Sequence, residues 1–336
     1  MRLEEFDYYL PEELIAQSPL EQRDASRLLH LPIDTGVAIH RKFAECVDLL
    51  EAGDLLVMND TRVSAIRLIG QRATGGATEA LLLRETSPGE FLALAKPAKR
   101  LRLGTLIDFG PGLQATVTEL LADGQRKLTF CQSEGWRDRL EENGSVPLPP
   151  YIHEKLANPE RYQTVVASVP GSAAAPTAGL HFTESILEQL KEKGIDFATV
   201  TLDVGIDTFR PVTAERIEDH QIHGETCSVS EETAAAVEKA SGRIVAVGTT
   251  SVRTLETFAQ GKRRLSPGST LSTKFITPGY DFKVIDGMFT NFHLPKTSML
   301  FMVAALVGIE PLRRAYEEAV KMRYRFLSFG DSMLIL

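Results

Sequence analysis

The sequence predicts an α/β layered domain interrupted by an inserted all-β barrel domain. Three observations predict it. Residues 1–62 and 151–336 alternate strand-like apolar runs with amphipathic helical segments, the pattern of a layered α/β domain. Residues 63–150 instead carry short alternating segments cut by Gly-containing turns, the pattern of a small barrel or sandwich. The order α/β, all-β, α/β along one chain then makes the β-rich piece an insertion, and most of the active site is expected on the discontinuous α/β domain.

In the first piece, Pro11–Gln17 (PEELIAQ) predicts a short polar helix. Leu55-Leu56-Val57-Met58 predicts a buried strand, and Asn59-Asp60-Thr61 a turn after it. In the insert, AIRLIGQRA, ATEALLLRE, EFLALA, TLIDF, ATVTEL and KLTF read as strands between the turns TGGA, SPGE, FGPG and ADGQ. Pro147-Leu148-Pro149-Pro150 closes the insert as a stiff linker. Beyond Tyr151, Thr183–Lys193 predicts a helix with Ile186, Leu187 and Leu190 on one face, stopped by Gly194. Ile195–Leu202 follows as a strand. Ser230 is placed to cap a helix whose first turn holds Glu231 and Glu232, acids that suit the helix dipole. Arg243–Val247 reads as an apolar strand ending at Gly248, and helices fit Ser298–Val307 and Pro311–Arg323.

The 336 residues suit two domains of roughly 100–200 residues each. A hydrophobic share of 43% and a charged share of 24% support a sizeable core in a soluble protein. The opening MRLEEFDYYLPEELI carries early acids and no long apolar run, which predicts neither a signal nor a transit peptide. The apolar stretch Met299–Gly308 falls far short of the roughly 20 residues that span a bilayer, so no membrane contact is expected. Cys46, Cys131 and Cys227 are scattered, which argues against a disulfide framework or a zinc site and for a reducing cytoplasm. A net charge of −8 argues against nucleic acid as a partner, because phosphate binding needs Lys and Arg. Distribution matters as well as total. Basic clusters stand at Lys96–Arg102 (KPAKRLR), Lys262–Arg264 and Lys321–Arg325, each either a solvated face or a set of phosphate contacts.

Several motifs carry chemistry. Gly248-Thr249-Thr250-Ser251-Val252-Arg253 follows a buried strand and opens a helix. It suits either a carboxylate or phosphate on free N–H groups, or a simple N-cap. Lys296-Thr297-Ser298 lacks the upstream glycines of a P-loop, and no G-x-G-x-x-G marks a dinucleotide site. His220, His223 and Glu225 lie within Asp219–Glu225. On a strand a spacing of three puts the two histidines on opposite faces, and Gly224 with the SVS turn after it weakens a helix. Acid–base work or polar contact is therefore favoured over metal. His181 sits among small residues in AAPTAGLHF, where the backbone can approach a ligand or another segment closely. His293, in TNFHLP, is either a satisfied core residue or a catalyst. Tyr324–Asp331 (YRFLSFGD) would stack a base beside a phosphate-binding Arg, or form a closing strand.

Taken together, the segments are similar to those of the S-adenosylmethionine:tRNA ribosyltransferase-isomerase family of queuosine biosynthesis. The matches run in family order from Phe6-Asp7-Tyr8, through Ser26-Arg27-Leu28-Leu29, Asn59–Val63, PLPPYI, AAPTAGLHF, AVGTTSVR and TNFHLP, to Tyr324–Asp331. The resemblance implies an α/β domain with an inserted barrel. It also implies transfer and isomerisation of the ribosyl group of S-adenosylmethionine onto an aminomethyl-deazaguanine at the wobble position of tRNA. Adenine and methionine would leave, and epoxyqueuosine-tRNA would result. S-adenosylmethionine would be a co-substrate, with no permanently bound cofactor and no metal, and the enzyme a monomer. The chemistry needs a base for the C–H acidified by the sulfonium, an acid near adenine, and an acceptor for the amine's proton. His181, His220, His223, Glu225 and His293 are titratable groups of the right types, with their roles undivided. Substrate contacts are expected from Asn59, Asp60, Arg62, Thr177, Asp203, Thr208, Phe209, Thr249, Thr250, Ser251, Arg253, Asn291, Tyr324, Arg325 and Asp331. tRNA contacts are expected from Lys96, Lys99, Arg100 and Arg102. Where the family reads T-L-H-V-G-x-G-T-F, this chain has Asp203 for the histidine and Asp207 for the second glycine. Thr226-Cys227 also stand where an aromatic is usual. A non-catalytic tRNA-binding paralogue, or an enzyme that uses S-adenosylmethionine on a small molecule, are the competing readings.

Overall fold

The computed structural model describes residues 1–121, 124–205 and 212–336. The chain divides into two compact units, one of residues 1–61, 149–169 and 175–336, the other of residues 62–148 and 170–174.

The first unit is built on a mixed sheet. Among the described residues its strand order is Gly268–Ser272, Glu225–Val229, Asp196–Leu202, Leu55–Asn59, Ile244–Val247, Gly287–Asn291, Ser332–Ile335, Arg27–Leu31 and Ile39–Lys42. Leu55–Asn59, Ile244–Val247, Gly287–Asn291 and Ser332–Ile335 are buried at every position. Continuous apolar runs such as LLVM and IVAV arise because both faces of these strands are covered. One face packs Leu56, Met58, Val245, Val247 and Phe289 against Phe182, Ile186 and Leu190. Helix Glu184–Glu192 supplies Ile186 and Leu190, with Thr183 as its cap accepting from Ile186 N at 3.3 Å. Leu190→Ala at this fully buried site would cost about 2–5 kcal/mol. Helix Thr249–Phe258 packs against Asp196–Leu202 and Ile244–Val247.

The second unit holds a closed antiparallel barrel of Ile66–Arg72, Ala77–Ser87, Glu90–Lys96, Leu106–Asp108, Gln114–Leu120 and Arg126–Phe130. The expected β-rich insert thus takes the barrel form, and the expected fold class holds. Inward positions such as Leu82, Phe91, Ala93, Ile107, Val117 and Leu128 fill its core. Helix Trp136–Asn143 adds Trp136 and Leu140 to that core, the Trp136 ring stacking on Phe130 at 5.9 Å. Sequence periodicity had not predicted this helix, which is short and mostly charged.

Local expectations needed four corrections. Pro11–Gln17 forms only a single turn, Glu12–Leu14. Leu14 O accepts from Phe326 N at 2.8 Å and Ala16 N donates to Phe326 O at 3.2 Å, so tertiary pairing overrides helix propensity. Asn59-Asp60-Thr61 is not a free turn, because Asp60 N donates to Val200 O and strand Thr61–Val63 follows at once. Ser228 and Val229 continue strand Glu225–Val229, and the turn falls at the cap Ser230, whose Oγ accepts from Thr233 N at 3.1 Å. The last helix is Ile309–Lys321 and starts directly after Gly308, whose φ of +90° separates it from Ser298–Val307. No helix among the described residues is long and apolar enough to cross a membrane.

Candidate functional site

Strands Asp196–Leu202, Leu55–Asn59, Ile244–Val247 and Gly287–Asn291 are adjacent and parallel. Their carboxyl ends therefore share one edge of the sheet, which is where open α/β sheets bind ligands. A cleft opens there with roughly 650 Å³ of empty space, part of it open to solvent, within the range of small-molecule sites. Its walls come from the loops that leave these strands. They include Val204, Gly248-Thr249-Thr250 and Asn291-Phe292-His293, with Thr177, Thr297 and Ser328 added from elsewhere. Gly248, at φ +87°, makes the tight passage from buried strand into helix Thr249–Phe258 that a side chain would strain. Among the described residues the lining holds no Asp, Glu, Lys or Arg.

Asn291 and His181 organise one wall. Asn291 Nδ2 donates to Leu327 O at 3.0 Å. A carbonyl only accepts, so this atom must be the amide nitrogen. The same nitrogen lies 3.2 Å from His181 Nε2, which is thereby the accepting nitrogen of a neutral imidazole. His181 Nδ1 then carries the proton and donates to Ser26 Oγ at 2.9 Å. The ring stacks on Phe43 at 5.1 Å. Burial, aided by the cations of Arg325 and Arg23, pushes its pKa down to about 3. Asn291 Oδ1 is left to accept, at present from Thr177 Oγ1 at 3.4 Å. The small residues around His181 do bring backbone close. A Cβ on Gly179 would stand 2.9 Å from Thr164 Cγ2.

His293 lines the cleft directly. Its Nε2 bonds Thr290 Oγ1 at 2.7 Å, its backbone N donates to Tyr316 Oη at 3.0 Å, and Tyr8 Oη donates to its carbonyl. Burial holds its pKa at about 3.

The other expected residues are placed as follows. Thr249 and Thr250 line the cleft, and Thr250 Oγ1 is buried without a hydrogen-bond partner. Ser251 turns away and donates to Val247 O at 2.7 Å. Asn59 stitches two strands, donating to Leu202 O and accepting from Leu202 N, each at 3.1 Å. Asp60 accepts from Thr201 Oγ1 at 2.7 Å. Asp203 is half-buried just beyond strand Asp196–Leu202 and accepts from Thr61 Oγ1 at 3.4 Å. Arg253 and Glu225 form an ion pair at 2.5 Å, both about nine-tenths buried. Arg253 also donates to His223 O and Ser272 O, while Glu225 Oε1 accepts from Gly205 N at 3.0 Å. Neither residue lines the cleft, nor do His220, which packs on Phe275, and the exposed His223. Burial and His223 lower the pKa of His220. Tyr324 is fully buried, bonds His40 Nδ1 at 2.6 Å and lies under the Arg27 guanidinium, so its ring is closed to a stacking base. Asp331, also buried, is paired with Arg27 at 2.9 Å and accepts from Arg325 N at 2.7 Å. The segment Tyr324–Asp331 is a looped organiser rather than a closing strand, which follows as Ser332–Ile335. Thr208 and Phe209 lie outside the described residues.

In the second unit Arg62 is half-buried, and Lys96, Lys99, Arg100 and Arg102 are all exposed. Arg126 fixes their loop by donating to Leu101 O at 3.2 Å and Ala98 O at 2.7 Å. Among the described residues no group of three or more His, Cys, Asp or Glu is gathered to hold a metal ion.

Sequence reasoning had not singled out Ser26, Tyr151, Thr290, Thr297 or Ser328, which contact His181 or His293 or line the cleft. The signal was present for four of them, since Ser26, Tyr151, Thr290 and Ser328 sit inside matching segments. Only Thr297 fell outside them.

The family model for queuosine biosynthesis proteins matches residues 3–335. A crystal structure of S-adenosylmethionine tRNA ribosyltransferase from Thermotoga maritima is 39% identical, with a TM-score of 0.56, and the match covers 99% of this chain and 100% of that one. With the match running almost from end to end, this chain belongs to the queuosine biosynthesis protein family.

Proposed function

We propose that the protein is a cytoplasmic, monomeric S-adenosylmethionine:tRNA ribosyltransferase-isomerase. It transfers and isomerises the ribosyl group of S-adenosylmethionine onto the aminomethyl-deazaguanine at the tRNA wobble position, and releases adenine and methionine. The observation that carries this reading is the 39% identity, over essentially both full lengths, to a structure named for S-adenosylmethionine tRNA ribosyltransferase. The cleft at the carboxyl ends of the parallel strands, of a size suited to a nucleoside, supports it.

In this reading the sulfonium of S-adenosylmethionine acidifies the adjoining C–H, and the cleft wall supplies one titratable group for the proton that leaves. His293, kept neutral by burial, offers an imidazole at the cleft wall. Asn291 offers its Oδ1 only as a hydrogen-bond acceptor, and His181 acts through Asn291 as a positioning residue. The first turn of helix Thr249–Phe258 faces the substrate with free N–H groups and the hydroxyls of Thr249 and Thr250, suited to a carboxylate. Glu225 and Arg253 hold the loop that carries Val204 into the cleft wall. Asp203 and Asp207 favour a second reading, a paralogue that binds tRNA with altered substrate or lost chemistry.

The test incubates the protein with S-adenosylmethionine and tRNA bearing the aminomethyl-deazaguanine. Adenine release that requires both, together with a modified nucleoside, is expected. Methyl transfer with adenosylhomocysteine as product would sink the proposal. Tight tRNA binding without adenine release would favour the paralogue.

A further inference from the structure

A second, smaller cleft adjoins the first. It is lined by Arg23, Arg161, Ser26, His181 and Ser328-Phe329-Gly330, among others. Ser328 lines both clefts, and the His181–Asn291 contact joins their walls.

The two arginines of this cleft are held in an unusual way. Arg23 donates to the carbonyls of Gln163 at 2.9 Å, Arg161 at 3.1 Å and Glu160 at 3.2 Å. Arg161 donates to the carbonyls of Glu21, at 3.0 Å, and Leu20. Every one of these acceptors is a neutral backbone oxygen. Carbonyls orient a guanidinium without cancelling its charge, and five N–H donors per arginine leave others to spare. Neither residue forms an ion pair among the described residues. Burial and the neighbouring Arg161 lower the pKa of Arg23, and the exposed Glu160 offsets only part of this. Arg325 reinforces the positive field: its cation bears on His181 along with that of Arg23, and its Nη1 is buried with no partner. The cluster is thus oriented and half-desolvated, and its charge is offset only in part, by the nearby carboxylates of Glu160 and Asp331. Guanidinium pairs of this kind match a phosphate bidentately.

We propose that the Arg23–Arg161 cleft binds a backbone phosphate of the tRNA strand next to the nucleotide being modified. This rests on tRNA being the substrate. It explains why a protein of net charge −8 keeps, beside its main cleft, a pair of cations with no ion-pair partner among the described residues. A nucleotide whose base enters the main cleft carries its own phosphates a few ångströms away, and the shared wall at Ser328 and His181 sets the two clefts at neighbouring positions.

The experiment measures tRNA binding by wild type, R161Q, R161K and the double variant R23Q/R161Q over a range of salt, with KM for both substrates. Each lost phosphate contact should make the slope of log K against log salt shallower by about 0.7–0.9. R161Q should show that change and a raised KM for tRNA, with KM for S-adenosylmethionine unchanged. R161K should keep most of the slope, and the double variant should complete the loss of that one contact, with a total change no greater than about 0.7–0.9. Melting temperatures identify variants that fail to fold, and R161Q then carries the result because Arg161 is half-exposed. An unchanged tRNA slope with raised KM for S-adenosylmethionine would assign the cleft to that substrate's carboxylate and overturn the inference. So would a slope unchanged in every variant while inorganic phosphate protects the wild type against heat but not R161Q, which would mean a free-phosphate site. If wild type itself neither binds nor modifies tRNA, the proposed function fails instead.

Discussion

Asn291 Nδ2 stands 3.2 Å from His181 Nε2, and this contact makes His181 a neutral acceptor fixed in one tautomer. Protonating that nitrogen would set two donors against each other inside the protein.

Stability should therefore depend on pH through this residue. Folding lowers the pKa of His181 to about 3 from an unfolded value near 6.5. Between those values the unfolded chain holds the extra proton. The contribution of His181 is complete above about pH 6.5 and shrinks as pH falls towards about 3. The slope per buried histidine approaches about 1.4 kcal/mol per pH unit. Urea unfolding at pH 7.5 and pH 5 should show a larger loss for wild type than for His181→Gln, which cannot titrate. Identical losses would contradict the neutral, buried assignment.

Asp203 offers a contest between roles. If it serves as base or as partner to the sulfonium, Asp203→Asn should lose more turnover than Asp203→His, because a histidine can still accept a proton near neutrality. If the side chain only holds its loop through Thr61, the nearly isosteric Asn should be tolerated and His should be worse. The first outcome is expected, measured on variants of equal melting temperature. Wild-type activity in Asp203→Asn would end the catalytic role.

Glu225→Gln would leave the Arg253 cation buried without its counter-charge. A loss of about 3 kcal/mol is expected from denaturant unfolding. The double change Glu225→Met with Arg253→Met should cost less than the sum of the two singles. Full stability in Glu225→Gln with a collapsed kcat would instead make Glu225 a catalyst.

The exposed barrel cluster Lys96, Lys99, Arg100 and Arg102 should add its own phosphate contacts. Neutralising all four should flatten the salt dependence of tRNA binding, by up to about one unit for each contact removed. No change in affinity or slope would take tRNA off this face of the barrel.

Chelator treatment should leave full activity. Loss that one particular metal restores would reopen His220 and His223 as ligands.

Much of this was legible in the sequence, for reasons that differ by residue. Buried strands such as Leu55–Asn59 announce themselves because both faces need apolar side chains. The six barrel strands are punctuated by turn residues that few other structures require. His293, Asn291, Thr249 and Thr250 lay within matching segments, and they meet at one cleft because each ends or follows a parallel strand, with His181, also in a matching segment, bonded to Asn291 behind them. What stayed hidden was direction. Ser251 and Arg253 share a motif with Thr249 and Thr250, yet helical rotation aims them at Val247 and at the sheet edge. Tyr324 and Asp331 read as surface recognition residues, but pairing with His40 and Arg27 buries both. Such outcomes depend on partners about 280–300 positions away, beyond the reach of any local pattern.

The placing of Ser332–Ile335 bears on how the molecule is made. This strand lies between Gly287–Asn291 and Arg27–Leu31, and among the described residues the hairpin Arg27–Lys42 joins the sheet along it. On a ribosome the hairpin would emerge early and then wait for roughly three hundred further residues before its neighbour appeared. Throughout that interval Leu28, Leu29 and Leu31, which end with no exposed surface, lack their final cover. The sheet can thus be completed only once this strand has been made, and a nascent chain stalled short of it would be a natural client for chaperones.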